Sequence, residues 1–97
     1  MLLSKRAVKD LEEVPAHVAL KLQAWKDGVE AFGLEEMRKR PGFHDEPLRG
    51  DRKGQRSIRL SRSYRAIYRI VKDQVVFVLV EEVNKHDYKK IERLFGL

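Results

Sequence analysis

Residues 55–80 read QRSIRLSRSYRAIYRIVKDQVVFVLV, and their period decides the fold. Over residues 55–61, Ile58 and Leu60 share one side while Ser57, Arg59 and Ser61 share the other, as in a half-buried antiparallel strand. The next run repeats the pattern. Tyr64, Ala66, Tyr68 and Ile70 have one parity, and Arg65, Ile67 and Arg69 the other. One face therefore packs on an apolar layer while the opposite face displays cations. After a turn at Lys72 and Asp73, residues 75–80 are apolar on both parities, which predicts the most buried strand of the sheet.

The apolar layer comes from the N-terminal half. Residues 1–3 read as a very short strand, and Ser4 is placed to cap a first helix carrying Ala7, Val8 and Leu11 on one side. Pro15 suits the first turn of a second helix, in which Val18, Leu22, Trp25, Val29 and Phe32 recur at spacings of four and three and Gly33 provides the stop. The two helices are expected as an antiparallel hairpin around Val14 and Pro15. Over residues 34–50 the periodicity fails, and Pro41, Gly42 and Pro47 predict a loop. Ile91, Leu94 and Phe95 give residues 85–97 the spacing of a short C-terminal helix or tail. Residues 1–97 thus form a single α+β domain, with two N-terminal helices packed on a small, mainly antiparallel sheet.

Charge is not spread evenly over this frame. Residues 49–69 hold Arg49, Arg52, Lys53, Arg56, Arg59, Arg62, Arg65 and Arg69 against one acid, Asp51, for a net +7. The remaining 13 bases and 14 acids sum to −1, so the whole formal charge of +6 sits in one block. Alternating arginines also keep an exposed sheet face soluble, but localisation of this kind points to a polyanionic partner. The chain has no cysteine, which excludes disulfides, thiolate metal sites and cysteine nucleophiles. His17, His44 and His86 form no ligand pair at helical spacing, so neither a metal nor another cofactor is expected. No apolar run approaches the roughly 18 residues needed to span a bilayer, and no leader is legible. The expectation is a cytoplasmic protein with no membrane partner.

On adjacent strands Arg59, Arg65 and Arg69 would share one face, close enough to surround a phosphate, which guanidinium forks grip bidentately. Proton-transfer groups lie at the two edges of the block. Glu46 precedes it, and Asn84, Lys85, His86, Asp87 and Tyr88 follow the last strand. Cleavage of RNA by internal transesterification needs a base for the ribose 2′-OH, cations for the crowded phosphorane and an acid for the departing 5′-oxygen. Imidazole, carboxylate and arginine are suitable parts.

The segment PLRGDRKGQRSIRLSRSYRAIYRI (47–70), followed by an apolar strand and EVNKHDY (82–88), resembles the RelE/ParE superfamily of bacterial type II toxins, in particular its ribosome-dependent mRNA endonucleases. The features that carry the likeness are Leu48, Gly50 and Gly54, then the alternating arginine strand, then Tyr64, Arg65 and Tyr68, and last a terminal His or Tyr. The resemblance implies a RelE-like two-layer fold and a toxin that enters the A site of the 30S ribosomal subunit, cuts bound mRNA without a metal and is neutralised by a cognate antitoxin. It implies catalytic roles for Glu46, Arg65, His86 and Tyr88, with Glu46 or His86 as base and His86 or Tyr88 as acid or orienting group. Lys53, Arg56 and Arg59 match positions of phosphate-gripping cations, and Arg49 and Arg69 complete the expected RNA-binding set. Asp87 separates His86 from Tyr88, which leaves open which of the three faces the cleft. The alternatives are a ParE-like toxin that inhibits DNA gyrase without cutting nucleic acid, and a passive RNA-binding domain.

Overall fold

The computed structural model describes residues 1–82; the expected C-terminal helix lies outside them. In chain order the elements are β1 (Leu2–Leu3), α1 (Lys5–Glu12), α2 (Ala16–Phe32), α3 (Leu34–Arg38), a 3-10 turn (Pro41–Phe43), β2 (Glu46–Pro47), a second 3-10 turn (Gly50–Arg52), β3 (Arg56–Arg59), β4 (Tyr64–Val71) and β5 (Gln74–Glu82). Among the described residues the strands form one sheet in the order β1-β5-β4-β3-β2, with β1 parallel to β5 and the other pairs antiparallel.

Local chemistry sets the helix ends. Ser4 Oγ accepts the Ala7 N–H at 3.1 Å and its hydroxyl donates to the Val78 carbonyl at 3.0 Å, so one side chain both starts α1 and ties it to β5. Gly33 closes α2 at φ 88°, a conformation open to glycine, and its N–H donates to Val29 O at 2.9 Å. Val18, Leu22 and Trp25 of α2 and Ala7 of α1 pack against Ile58, Leu60, Ala66, Tyr68, Val75, Phe77 and Val80. The Trp25 ring lies 5.1 Å from that of Tyr68 and 5.5 Å from that of Phe77, and the latter two are 5.8 Å apart, so three aromatics form the centre of the core.

The α+β architecture, the helices and the meander agree with the sequence pattern, and four details differ. The expected loop over residues 34–50 contains α3, whose Met37 is buried; Gly28 of α2 admits it, since a Cβ there would meet the Met37 thioether at 2.5 Å. The same stretch contributes β2, paired through Glu46↔Ser57 and Pro47↔Arg56. Strand β3 is four residues rather than seven. Finally, β5 is not buried on both sides: Val75, Phe77 and Val80 are buried, while Val76, Val78 and Leu79 are half-buried. Ile67 pairs with Leu79 but Tyr68 pairs with Phe77, so Val78 is an extra residue that lets β5 change register.

Because Trp25 is fully buried among two aromatic rings, Trp25→Ala is expected to cost about 3–5 kcal/mol. With a urea slope of about 1–3 kcal/mol/M, the midpoint falls by more than about 1 M. Leu20→Ala, at a 68% exposed position, stays within about 0.5 kcal/mol of the parent in the same titration.

Candidate active site

The face of the sheet opposite the helices carries the cations. The register places Arg59 directly across from Arg65, and Glu46 directly across from Ser57, on the same side of the pleat. These four residues, with His44, Ser61, Arg62 and Tyr64, line a pocket of about 230 Å³. The turn from β3 to β4 closes one end. There Leu60 and Ser61 donate their N–H groups to the Tyr64 carbonyl at 2.9 and 3.2 Å, and Ser61 Oγ accepts the Ser63 N–H at 3.2 Å.

Like charges directly opposite each other on a sheet are destabilising by a few tenths to about 1 kcal/mol. Arg59 and Arg65 are nonetheless so placed, and none of the ion pairs among the described residues involves them or Arg62. The acid nearest in register to Arg65 is Glu81, on β5. Both its carboxylate oxygens are taken by the Arg52 guanidinium, at 3.2 and 3.4 Å. Among the described residues the arginines of the pocket therefore keep their forks open to an anion from outside.

Of the expected RNA-binding set, the structure brings only Arg59 to this pocket, beside Arg65 and Glu46 from the catalytic set. Arg69 shares the face, about 13 Å along the strand from Arg65, and does not line the pocket. Arg49 and Lys53 are exposed in the β2–β3 connection and do not line the pocket. Arg56 points the other way: it is paired with Tyr68 and shares the parity of Ile58. Its even position in a strand whose odd residues face the cations already carried that signal. His86 and Tyr88 lie outside the described residues.

Two pocket residues were not picked out from the pattern. Arg62 sits in a Ser-Arg-Ser turn that the alternation leaves unassigned, and His44, two residues before Glu46, closes the first 3-10 turn in the stretch where the periodicity fails. Between them Asp45 turns away from the pocket. Its fully buried carboxylate accepts Arg56 Nε at 2.6 Å and the Tyr68 hydroxyl at 2.6 Å. Burial and the hydrogen bond to Asp45 push the Tyr68 hydroxyl up to about 12, with Arg38 opposing the rise. For Arg56 burial disfavours the charge, but the bond and charge of Asp45 prevail and its pKa is raised.

The sequence matches, over residues 1–86, the family described as the ParE toxin of the type II toxin-antitoxin system parDE. No curated protein matches. Solved structures share the fold at low identity. The RelB-RelE antitoxin-toxin complex from Methanococcus jannaschii contains a chain 20% identical, with a TM-score of 0.69 over 98% of this chain and 99% of that one. YafQ from E. coli is 18% identical, with a TM-score of 0.68 over 84% and 91%. A YoeB/ParE toxin from Agrobacterium tumefaciens is 17% identical, with a TM-score of 0.66 over 84% and 94%.

The raised Tyr68 value has a defined consequence for stability. A group whose folded pKa lies above its unfolded value of 10.0 contributes fully below that pH and loses the contribution as pH rises towards about 12. The stability difference between the parent and Tyr68→Phe, from denaturant titrations, is therefore constant up to about pH 10 and narrows between about pH 10 and 12.

Proposed function

The chain belongs to the family of ParE toxins of type II toxin-antitoxin systems, and from that membership we propose that it is a ribosome-dependent mRNA endonuclease working by metal-independent attack of the 2′-OH. The observation that carries this reading is the Arg59 and Arg65 pair, opposed across two strands, unneutralised among the described residues and sharing a pocket with Glu46. Docking on another protein does not require two guanidinium groups held together at a cost in stability, since spread cations serve it as well. A phosphorane gains from the pair, because its extra negative charge develops only in the transition state, where preorganised donors are most effective.

In this reading Arg65 and Arg59 hold the scissile phosphate and stabilise the phosphorane. Glu46 or His86 removes the 2′-OH proton as the 2′-O–P bond forms. His86 or Tyr88 protonates the 5′-oxygen as the P–O5′ bond breaks. Arg62 at the rim and the more distant Arg69 are placed for neighbouring phosphates. The ribosome orients the mRNA in the 30S A site, and activity on free RNA is low. A cognate antitoxin is the regulatory partner, in keeping with the family and with the solved RelB-RelE pair. It would inhibit by covering the cationic face.

The family description also favours a second reading, a ParE-like toxin that inhibits DNA gyrase and cuts no RNA. One experiment separates the two. Induced expression of the parent is expected to arrest growth with mRNA cuts at discrete positions mapped by primer extension. On mRNA-programmed ribosomes Arg65→Ala lowers kcat by about 10²–10³-fold, and Glu46→Gln by about 10²–10⁴-fold if Glu46 is the base. Arrest with intact mRNA and accumulating double-strand DNA breaks, unaffected by Glu46→Gln, would sink the nuclease reading and leave the gyrase one.

A further inference from the structure

Asp45 stands between two pocket residues, His44 and Glu46, and its carboxylate points to the other side of the sheet. On that side the register places Arg56 opposite both Pro47 of β2 and Tyr68 of β4. Arg56 Nε and the Tyr68 hydroxyl each meet a different oxygen of the same carboxylate at 2.6 Å. Backbone alone holds this segment weakly. Strand β2 is two residues long, lies at the sheet edge among the described residues and includes a proline with no N–H to donate. His44 occupies the left-handed region at φ 45° and ψ 50°, which a residue with a Cβ keeps only when its surroundings hold it there. The Tyr68 ring is itself fixed by Trp25 and Phe77, so the hydroxyl that meets Asp45 is anchored in the core.

We propose that Asp45, Arg56 and Tyr68 form a clamp beneath the sheet that fixes His44 and Glu46 over the Arg59 and Arg65 pair. These are positioning residues: none of them lines the pocket, and they act through the two neighbours of Asp45. The inference rests on the pocket being a site of phosphodiester cleavage, and it gives Arg56 a role other than contact with RNA. It also assigns His44 a place beside the reacting phosphate, since the same anchor holds both residues that flank Asp45.

A displacement of about 1 Å in a reacting group costs about a hundredfold in rate. On programmed ribosomes, Tyr68→Phe is expected to lower kcat about tenfold and Asp45→Asn about a hundredfold. KM and the affinity for a fluorescently labelled single-stranded RNA stay within about twofold, because Arg59, Arg62 and Arg65 are untouched. Arg56→Lys, which keeps a cation for Asp45, recovers more kcat than Arg56→Met. Rates are taken at a temperature where circular dichroism shows each variant folded; Tyr68→Phe, which loses a single hydroxyl, covers the case in which Asp45→Asn does not fold. A purely structural role would leave the kcat of the folded fraction unchanged, and that result, or equal losses in RNA affinity and kcat, overturns the clamp. If the parent cuts no RNA, the nuclease reading fails separately. The clamp is then judged by the NMR signals of the His44 imidazole and the Glu46 amide in Tyr68→Phe: displacement with Arg59 and Arg65 unmoved supports it, and unchanged signals overturn it.

Discussion

A pleated strand cannot turn two successive side chains to the same side, and this constraint organises both halves of the molecule. In β4 it sends Ala66 and Tyr68 into the helices and Arg65 and Arg69 to the opposite face. Because β3 pairs with β4 in a fixed register, burying Ile58 against Ala66 obliges Arg59 to stand across from Arg65. A slip of one residue would bury the arginines and expose Ile58, so the core sets the arginine pair as firmly as it sets itself. The repulsion between two guanidinium groups is small beside the burial of Trp25, Tyr68 and Phe77, each side chain of that size being worth a few kcal/mol. The aromatic core is what makes a concentrated positive pocket tolerable.

The link between those halves is polar. Burial of a lone carboxylate is costly enough that such groups are found paired or protonated. Asp45 is paired twice, with a cation and with a phenol whose own ring belongs to the core. Removing the cation Arg56 would leave the carboxylate buried with the phenol alone, typically a loss of about 3–5 kcal/mol, whereas the intact group is worth much less to overall stability. An arrangement of this kind is better at specifying one geometry than at raising stability. The geometry it specifies is that of the chain segment next to the cationic pocket.

Much of this was legible in the sequence wherever one simple period governed a long enough run. The stripe of Val18, Leu22 and Trp25 and the alternation around Ile58 and Tyr68 each involve several residues whose burial agrees, so the two layers and the cationic face could be read directly. The segment 34–50 could not. In α3 only Leu34 and Met37 carry the apolar signal, over a single turn, and β2 is two residues ending in a proline; both exist because tertiary partners, Gly28 and β3, receive them. The strand over 75–80 misled for the opposite reason, since a parity rule counts valines without knowing that Val78 is an extra residue in the ladder. Sequence order singled out Glu46, Arg59 and Arg65, which line one pocket. It could not convey that Arg56 has a buried carboxylate to meet. Asp45 read as a loop acid because its partners are 11 and 23 residues distant.

Distance in sequence also limits what the likeness to known toxins can carry. Chains 17–20% identical share this backbone, and a backbone shared at that level is compatible with several chemistries built on the same sheet. Net charge does not separate them, because a cationic face suits an RNA target and an acidic protein partner alike. What separates them is the need to move protons. Binding to a protein surface is served by spread cations with their own acidic neighbours, and Arg52 with Glu81 is a pair of that kind. Cleavage needs cations left unneutralised and a carboxylate within the same small volume. Among the described residues Arg59 and Arg65 have no ion-pair partner and share a pocket with Glu46, while the acid nearest Arg65 in register is held by Arg52. The case for chemistry at this site therefore rests less on how many arginines the block contains than on which of them are left without an ion-pair partner among the described residues.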